Sequence, residues 1–90
     1  MFLDWLFGKK NKELGQVVHY FDKLGVAVVI LKGALKVGDR IKIIRNGHEF
    51  IDTVASMQID RQEIKSAASG QEVAIKISEP VKAGAIVMRA

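Results

Sequence analysis

No cysteine occurs among the 90 residues, which excludes a disulfide framework or a thiolate metal site and makes a reducing compartment the natural setting. Long apolar runs are missing too. The longest, Val26 to Leu31, falls far short of the roughly 20 residues that span a bilayer. The first seven residues have neither a basic stretch ahead of an apolar one nor a small-residue cleavage site, so no signal peptide is expected. These absences predict a cytoplasmic protein.

Catalytic signatures are equally scarce. A phosphate loop needs Gly-x-x-x-x-Gly-Lys-Ser/Thr, and Gly8-Lys9-Lys10 supplies only a fragment of it, without the first glycine or the hydroxyl residue that would hold magnesium. GTP binding is therefore not expected. His19 and His48 lie far apart, each without a second ligand at i+2 or i+4, whereas a metal needs three or four ligands. Ser56, Ser66, Ser69 and Ser78 belong to no Gly-x-Ser-x-Gly elbow. The expectation is a chain that is not an enzyme and carries no cofactor and no metal.

What is present is an ordinary globular balance, 49% hydrophobic and 27% charged, with a formal net charge of +4. The excess of lysine and arginine suits a polyanion, but it equally serves solubility. Ninety residues provide one modest core.

Residues 1–13 form a short apolar and basic segment ahead of a domain over 14–90. Phe2, Leu3, Trp5, Leu6 and Phe7 crowd the start and are followed by Gly8 and Lys9-Lys10-Asn11-Lys12. Phe2, Leu3, Leu6 and Phe7 can share one helical face, yet so short a helix needs a covering surface. Packing on the domain, docking on a partner or self-association, and anchoring at a membrane surface are the alternatives; the membrane is the weakest of them.

Beyond it, turn chemistry and period-2 alternation dominate. Leu14 to Phe21 reads as a strand rich in β-branched and aromatic residues. A four-residue loop, Asp22 to Gly25, leads to Val26–Lys32, apolar enough to be buried on both faces. Arg40 to Arg45 alternates, with Ile41 and Ile43 inward and Arg40, Lys42 and Ile44 outward. Asn46-Gly47 is a hairpin turn. A fourth strand is expected from His48 to Asp60, with a β-bulge near Ala55 to Met57 where the apolar parity changes. Arg61 to Ser69 reads as a loop holding at most a short helical turn. Val73, Ile75 and Ile77 share the inward face of a fifth strand, Pro80 ends it, and Ala85 to Arg89 closes the set. Gly33, Gly38, Asp39, Asn46, Gly47, Gly70 and Gly84 are the turn residues. The predicted fold is all-β, a closed or nearly closed six-stranded antiparallel β-barrel with a short N-terminal apolar segment.

Three motifs carry a family resemblance across roughly Gly15 to Arg89: Gly33-Ala34-Leu35-Lys36-Val37-Gly38-Asp39-Arg40-Ile41-Lys42-Ile43-Ile44, Ala67-Ala68-Ser69-Gly70-Gln71-Glu72-Val73-Ala74-Ile75, and Val81-Lys82-Ala83-Gly84-Ala85-Ile86-Val87. Together they resemble the β-barrel domain that follows the GTPase domain in elongation factor Tu and related translation factors. Ala85 departs from the acidic residue usual there. The resemblance implies a small, stand-alone, translation elongation factor-like binding module of protein biosynthesis, without the GTPase. Lys32, Lys36, Arg40, Lys42 and Arg45 lie within fourteen positions and are the candidate contacts to RNA or a ribonucleoprotein, directed at phosphates because aromatics are sparse beside them. The alternative, from another class, is a protein-interaction or accessory domain that docks on a separately encoded enzyme, or self-associates, through Phe2, Leu3, Trp5, Leu6 and Phe7.

Overall fold

The computed structural model describes residues 13–90. The expectations for residues 1–12, among them Phe2, Leu3, Trp5, Leu6 and Phe7, fall outside the described residues.

Strand β1 (Glu13–Phe21) turns through Asp22–Gly25 into β2 (Val26–Leu31). The turn closes because the amides of Leu24 and Gly25 both donate to the Phe21 carbonyl, at 3.1 and 2.9 Å. Gly25 takes φ 66°, which glycine adopts without the Cβ penalty. Then follow β3 (Leu35–Lys36), β4 (Arg40–Arg45), β5 (His48–Thr53), β6 (Met57–Ile59), β7 (Gln62–Ile64), β8 (Ser66–Ala67), β9 (Glu72–Lys76) and β10 (Ile86–Arg89). Eight of them form one antiparallel sheet in the order β5-β4-β10-β1-β2-β9-β6-β7, while β3 and β8 make a separate two-stranded ribbon.

Alternation decides which face each residue takes. Val17, Val29, Val73 and Val87 point inward from β1, β2, β9 and β10, joined by Ile41, Ile43, Met57 and Ile75, and all are essentially sealed from solvent. Each such side chain contributes about 1.5–3 kcal/mol relative to an exposed one. In β1 the pairing slips between Val17 and His19. The extra residue, Val18, is left half-exposed at this bulge.

The all-β class holds, but the six-stranded closed barrel does not. There are ten strands among the described residues, and the main sheet is open, ending at β5 on one side and β7 on the other. The expected single strand from His48 to Asp60 is interrupted at 54–56: β5 pairs with β4, whereas β6 pairs with β9 on the far side of the sheet. The change of apolar parity thus marks a crossing between sheet ends rather than a bulge. Val54 is the anchor of that crossing. Its amide donates to Asp39 O at 2.9 Å, and its carbonyl accepts from Gly38 N at 2.8 Å.

The expected loop at Arg61–Ser69 instead contains β7 and β8. Asp60 and Arg61 adopt φ 51° and 66°, so two non-glycine residues make the tight turn into β7. The outer face of β2 is not fully covered either: Val26 and Val28 are half-buried, and Ile30 is 41% exposed.

Two glycines separate strain from crowding. Gly38 takes φ 98°, and a Cβ there would meet nothing within 4 Å. Gly15 is buried opposite Leu31, and a Cβ there would stand 2.5 Å from Ile30 O and 2.7 Å from Val29 Cγ1. Gly38→Ala should therefore cost about 1 kcal/mol through its backbone alone, or about 4–8 °C in melting temperature for a domain of this size. Gly15→Ala should lower it further, because β1 and β2 must separate. Thermal melts of both variants test the pair; a Gly15→Ala protein at least as stable as Gly38→Ala would contradict the close approach of β1 to β2.

Candidate functional site

The Lys36–Asp39 turn is where the sheet, the ribbon and the last strand meet. Asp39 stands just after Gly38, and its amide donates to Lys36 O at 3.1 Å, closing the turn. Its carboxylate folds back over the same turn. Oδ2 accepts from the Lys36 amide at 3.0 Å and Oδ1 from Lys36 Nζ at 2.9 Å. The Arg89 guanidinium, at the end of β10, brings Nη1 to 3.6 Å from Oδ2. It also donates from Nη2 to the carbonyl of Ala34 at 3.3 Å. One carboxylate thereby ties the Lys36–Asp39 turn to the far end of the chain at Arg89.

The Asp39 side chain is only 10% exposed. The hydrogen bond from the Lys36 ammonium is the main force holding its carboxyl below the ordinary value of 3.8; burial opposes it, and the Lys36 amide and the charges of Lys36 and Arg89 add to it. Asp39 therefore stays ionised at neutral pH, suited to clamping and unsuited to exchanging protons there.

Beside this clamp opens a cleft of about 440 Å³, lined by Leu35 and Lys36 of β3, Ser66 and Ala67 of β8, with Gln71 and Arg89 at its sides. That volume is in the range of ligand sites. The small residues Ala34, Ala67 and Ala68 line it as well, leaving room for a ligand backbone. The Gln71 carboxamide is oriented, since Oε1 accepts from the Ala68 amide at 2.8 Å, so its NH₂ keeps both donors. Lys36 has spent one ammonium donor on Asp39. With Arg89 and the Ser66 hydroxyl, the cleft offers donors in excess of acceptors.

The structure disperses the five basic residues singled out from sequence. Lys32 Nζ lies 2.9 Å from Glu13 Oε2, without the alignment of a hydrogen bond. Lys36 is held by Asp39, and Lys42 pairs with Glu49 across β4 and β5 at 3.4 Å. Arg45 donates from Nε to Ala83 O at 3.2 Å. Arg40 is exposed, with no side-chain partner among the described residues. Lys36 is the one of the five that lines the cleft. Arg89, Ser66 and Gln71 were not singled out as contacts; nothing in the spacing of the sequence links Arg89 to Asp39, because their proximity comes from β10 pairing with β4. Among the described residues no three His, Asp or Glu side chains are grouped to hold a metal, and no helix is long and apolar enough to cross a membrane.

The family model for the peptidase family U32 C-terminal domain matches residues 10–88. An uncharacterised protease of Methanocaldococcus jannaschii is 36% identical over 73 residues, which are 80% of this chain and 18% of that protein. The chain thus spans under a fifth of the length of this relative. Two crystal structures of the C-terminal domain of a Geobacillus thermoleovorans candidate U32 peptidase superpose with TM-scores of 0.81 and 0.82 at 18% identity. They cover 87% and 94% of this chain and 99% and 98% of theirs. At that identity the structures attest the fold alone.

These findings overturn the translation-factor resemblance and the role in protein biosynthesis read from it. The motifs around Gly38, Gly70 and Gly84 are turn solutions: all three glycines have positive φ, which any sheet reversing at those points demands. The reading as an RNA-binding module falls with the resemblance, and nothing specifically supports the alternative of docking on a separately encoded enzyme.

Asp39 gives the site a pH signature. Its folded pKa lies below the unfolded one, so its stabilising contribution is present above the ordinary carboxylate range and is lost as pH falls through about 4 and below. The difference in melting temperature between the parent and Asp39→Asn should be largest near pH 7 and shrink steadily below pH 4. A difference that is constant from pH 7 to pH 2.5 would count against the clamp.

Proposed function

The chain belongs to the family of peptidase U32 C-terminal domains, and from that premise we propose that it is a non-catalytic polypeptide-binding domain serving a U32-type peptidase unit. The observation that carries this reading is the donor-rich cleft between the β3–β8 ribbon and Arg89. An extended peptide backbone presents a carbonyl acceptor at every residue. Lys36, Gln71, Ser66 and Arg89 supply donors for such acceptors, while the alanines let a main chain approach. The contribution is recognition rather than bond breaking, since both oxygens of Asp39, the carboxylate at the cleft, are already engaged by Lys36 and Arg89. A cytoplasmic setting, suggested by the cysteine-free sequence, is part of the same proposal.

The isotopically labelled chain, titrated with short unstructured peptides, should show saturable shifts of the Leu35, Ala67 and Arg89 amide resonances while the peptides stay intact. Hydrolysis of the peptides by the pure chain, abolished in Asp39→Asn, would overturn the non-catalytic reading. Spectra unchanged by every peptide would overturn the binding one.

A further inference from the structure

At the other end of β4 and β10 from this cleft, a second recess opens directly onto the core. Its floor is Ile43 and Phe50, both inward-facing residues of β4 and β5, and Pro80 and Val81 form its wall. Arg45, His48 and Lys82 stand around it. Its volume is about 150 Å³, well below the 300 Å³ or so at which sites for whole small molecules begin. It is the size for one side chain.

The rim is positioned as well as charged. Arg45 Nε is fixed on Ala83 O at 3.2 Å, which leaves the two terminal guanidinium nitrogens for another acceptor. Lys82 precedes that acceptor in the same turn, and its backbone is held by the Ala85 amide, which donates to Lys82 O at 3.2 Å. His48 Nε2 lies 3.4 Å from Glu79 Oε1.

We propose that this recess captures the C-terminal residue of a polypeptide, an apolar side chain lodging on Ile43, Phe50 and Val81 while Arg45 and Lys82 hold the free α-carboxylate. The proposal rests on the polypeptide-binding reading above and assigns it a second, end-specific subsite. Charge complementarity singles out the occupant. An apolar floor with cations at its rim fits a ligand in which a carboxylate lies two bonds from an apolar side chain, as at a leucine C-terminus. An internal stretch of chain brings the side chain without the charge, and a charged or glycine terminus brings the carboxylate without the side chain.

Three N-acetylated tripeptides test it by amide-shift titration of the labelled chain: Ala-Ala-Leu with a free carboxylate, the same peptide as its C-terminal amide, and Ala-Ala-Gly with a free carboxylate. The free leucine peptide should shift Ile43, Phe50, Val81 and Lys82. The amide should bind up to about fivefold more weakly, the scale of one solvent-exposed ion pair, and the glycine peptide should also bind more weakly, through loss of the apolar contact. Lys82→Gln, an exposed change that leaves the core intact, should weaken the free leucine peptide to near its amide, and Arg45→Gln should do the same. Equal binding of acid and amide would overturn the proposal. Shifts confined to Leu35, Ala67 and Arg89 would overturn it while sparing the binding reading, whereas no shifts with any peptide would overturn both.

Discussion

Val54 is the residue on which the architecture turns. Both of its backbone groups are bonded to the turn at Gly38 and Asp39, and its side chain is buried in the core. A run of sequence that starts on one edge of the sheet can therefore finish on the other without leaving unpaired polar groups in the interior, the condition that governs any buried backbone. Without that pair of hydrogen bonds β5 and β6 would have no reason to part company.

The candidate site follows from this pivot. Asp39 offers its carbonyl to Val54 and its carboxylate to Lys36 and Arg89, so one residue both anchors the crossing at Val54 and lines the cleft. A surface ion pair is ordinarily worth little. This one differs because the carboxylate is nearly sealed and accepts a backbone amide as well, which fixes its orientation before any charge is counted. The stability of the turn and the shape of the cleft are then two aspects of a single arrangement.

Much of the scaffold was legible in the residues themselves. Arg40–Arg45 and Glu72–Lys76 alternate cleanly, and the structure puts Ile41, Ile43, Val73, Ile75 and Ile77 in the core. Strands β7 and β8 were not legible. Gln62–Ile64 and Ser66–Ala67 are two or three residues long and mostly exposed, too brief to display a period, and the turn before them uses Asp60 and Arg61 at positive φ where glycine would have signalled it. Gly15 was read as an ordinary strand residue, although its missing Cβ sets the distance between β1 and β2. The site was harder still. Lys36 and Asp39 are three residues apart and their partnership is local, but Arg89 reaches them through the β10–β4 register, a tertiary fact with no local trace.

The mistaken family resemblance has the same physical root as the correct all-β reading. Gly38, Gly70 and Gly84 appear where a chain must reverse between strands, and Val-x-Ile alternation appears where one face of a strand is buried; both are demands of the sheet. They carry information about fold because every sheet with those turns must meet them, and for that reason they carry little about activity. Function resides in side chains the sheet does not require. Arg89 exemplifies this: its strand needs only Val87 inward and an extended backbone, and nothing in the sheet calls for a guanidinium at that end. Its bridge to Asp39 and Ala34 beside the cleft is therefore a feature that the demands of the sheet alone do not account for.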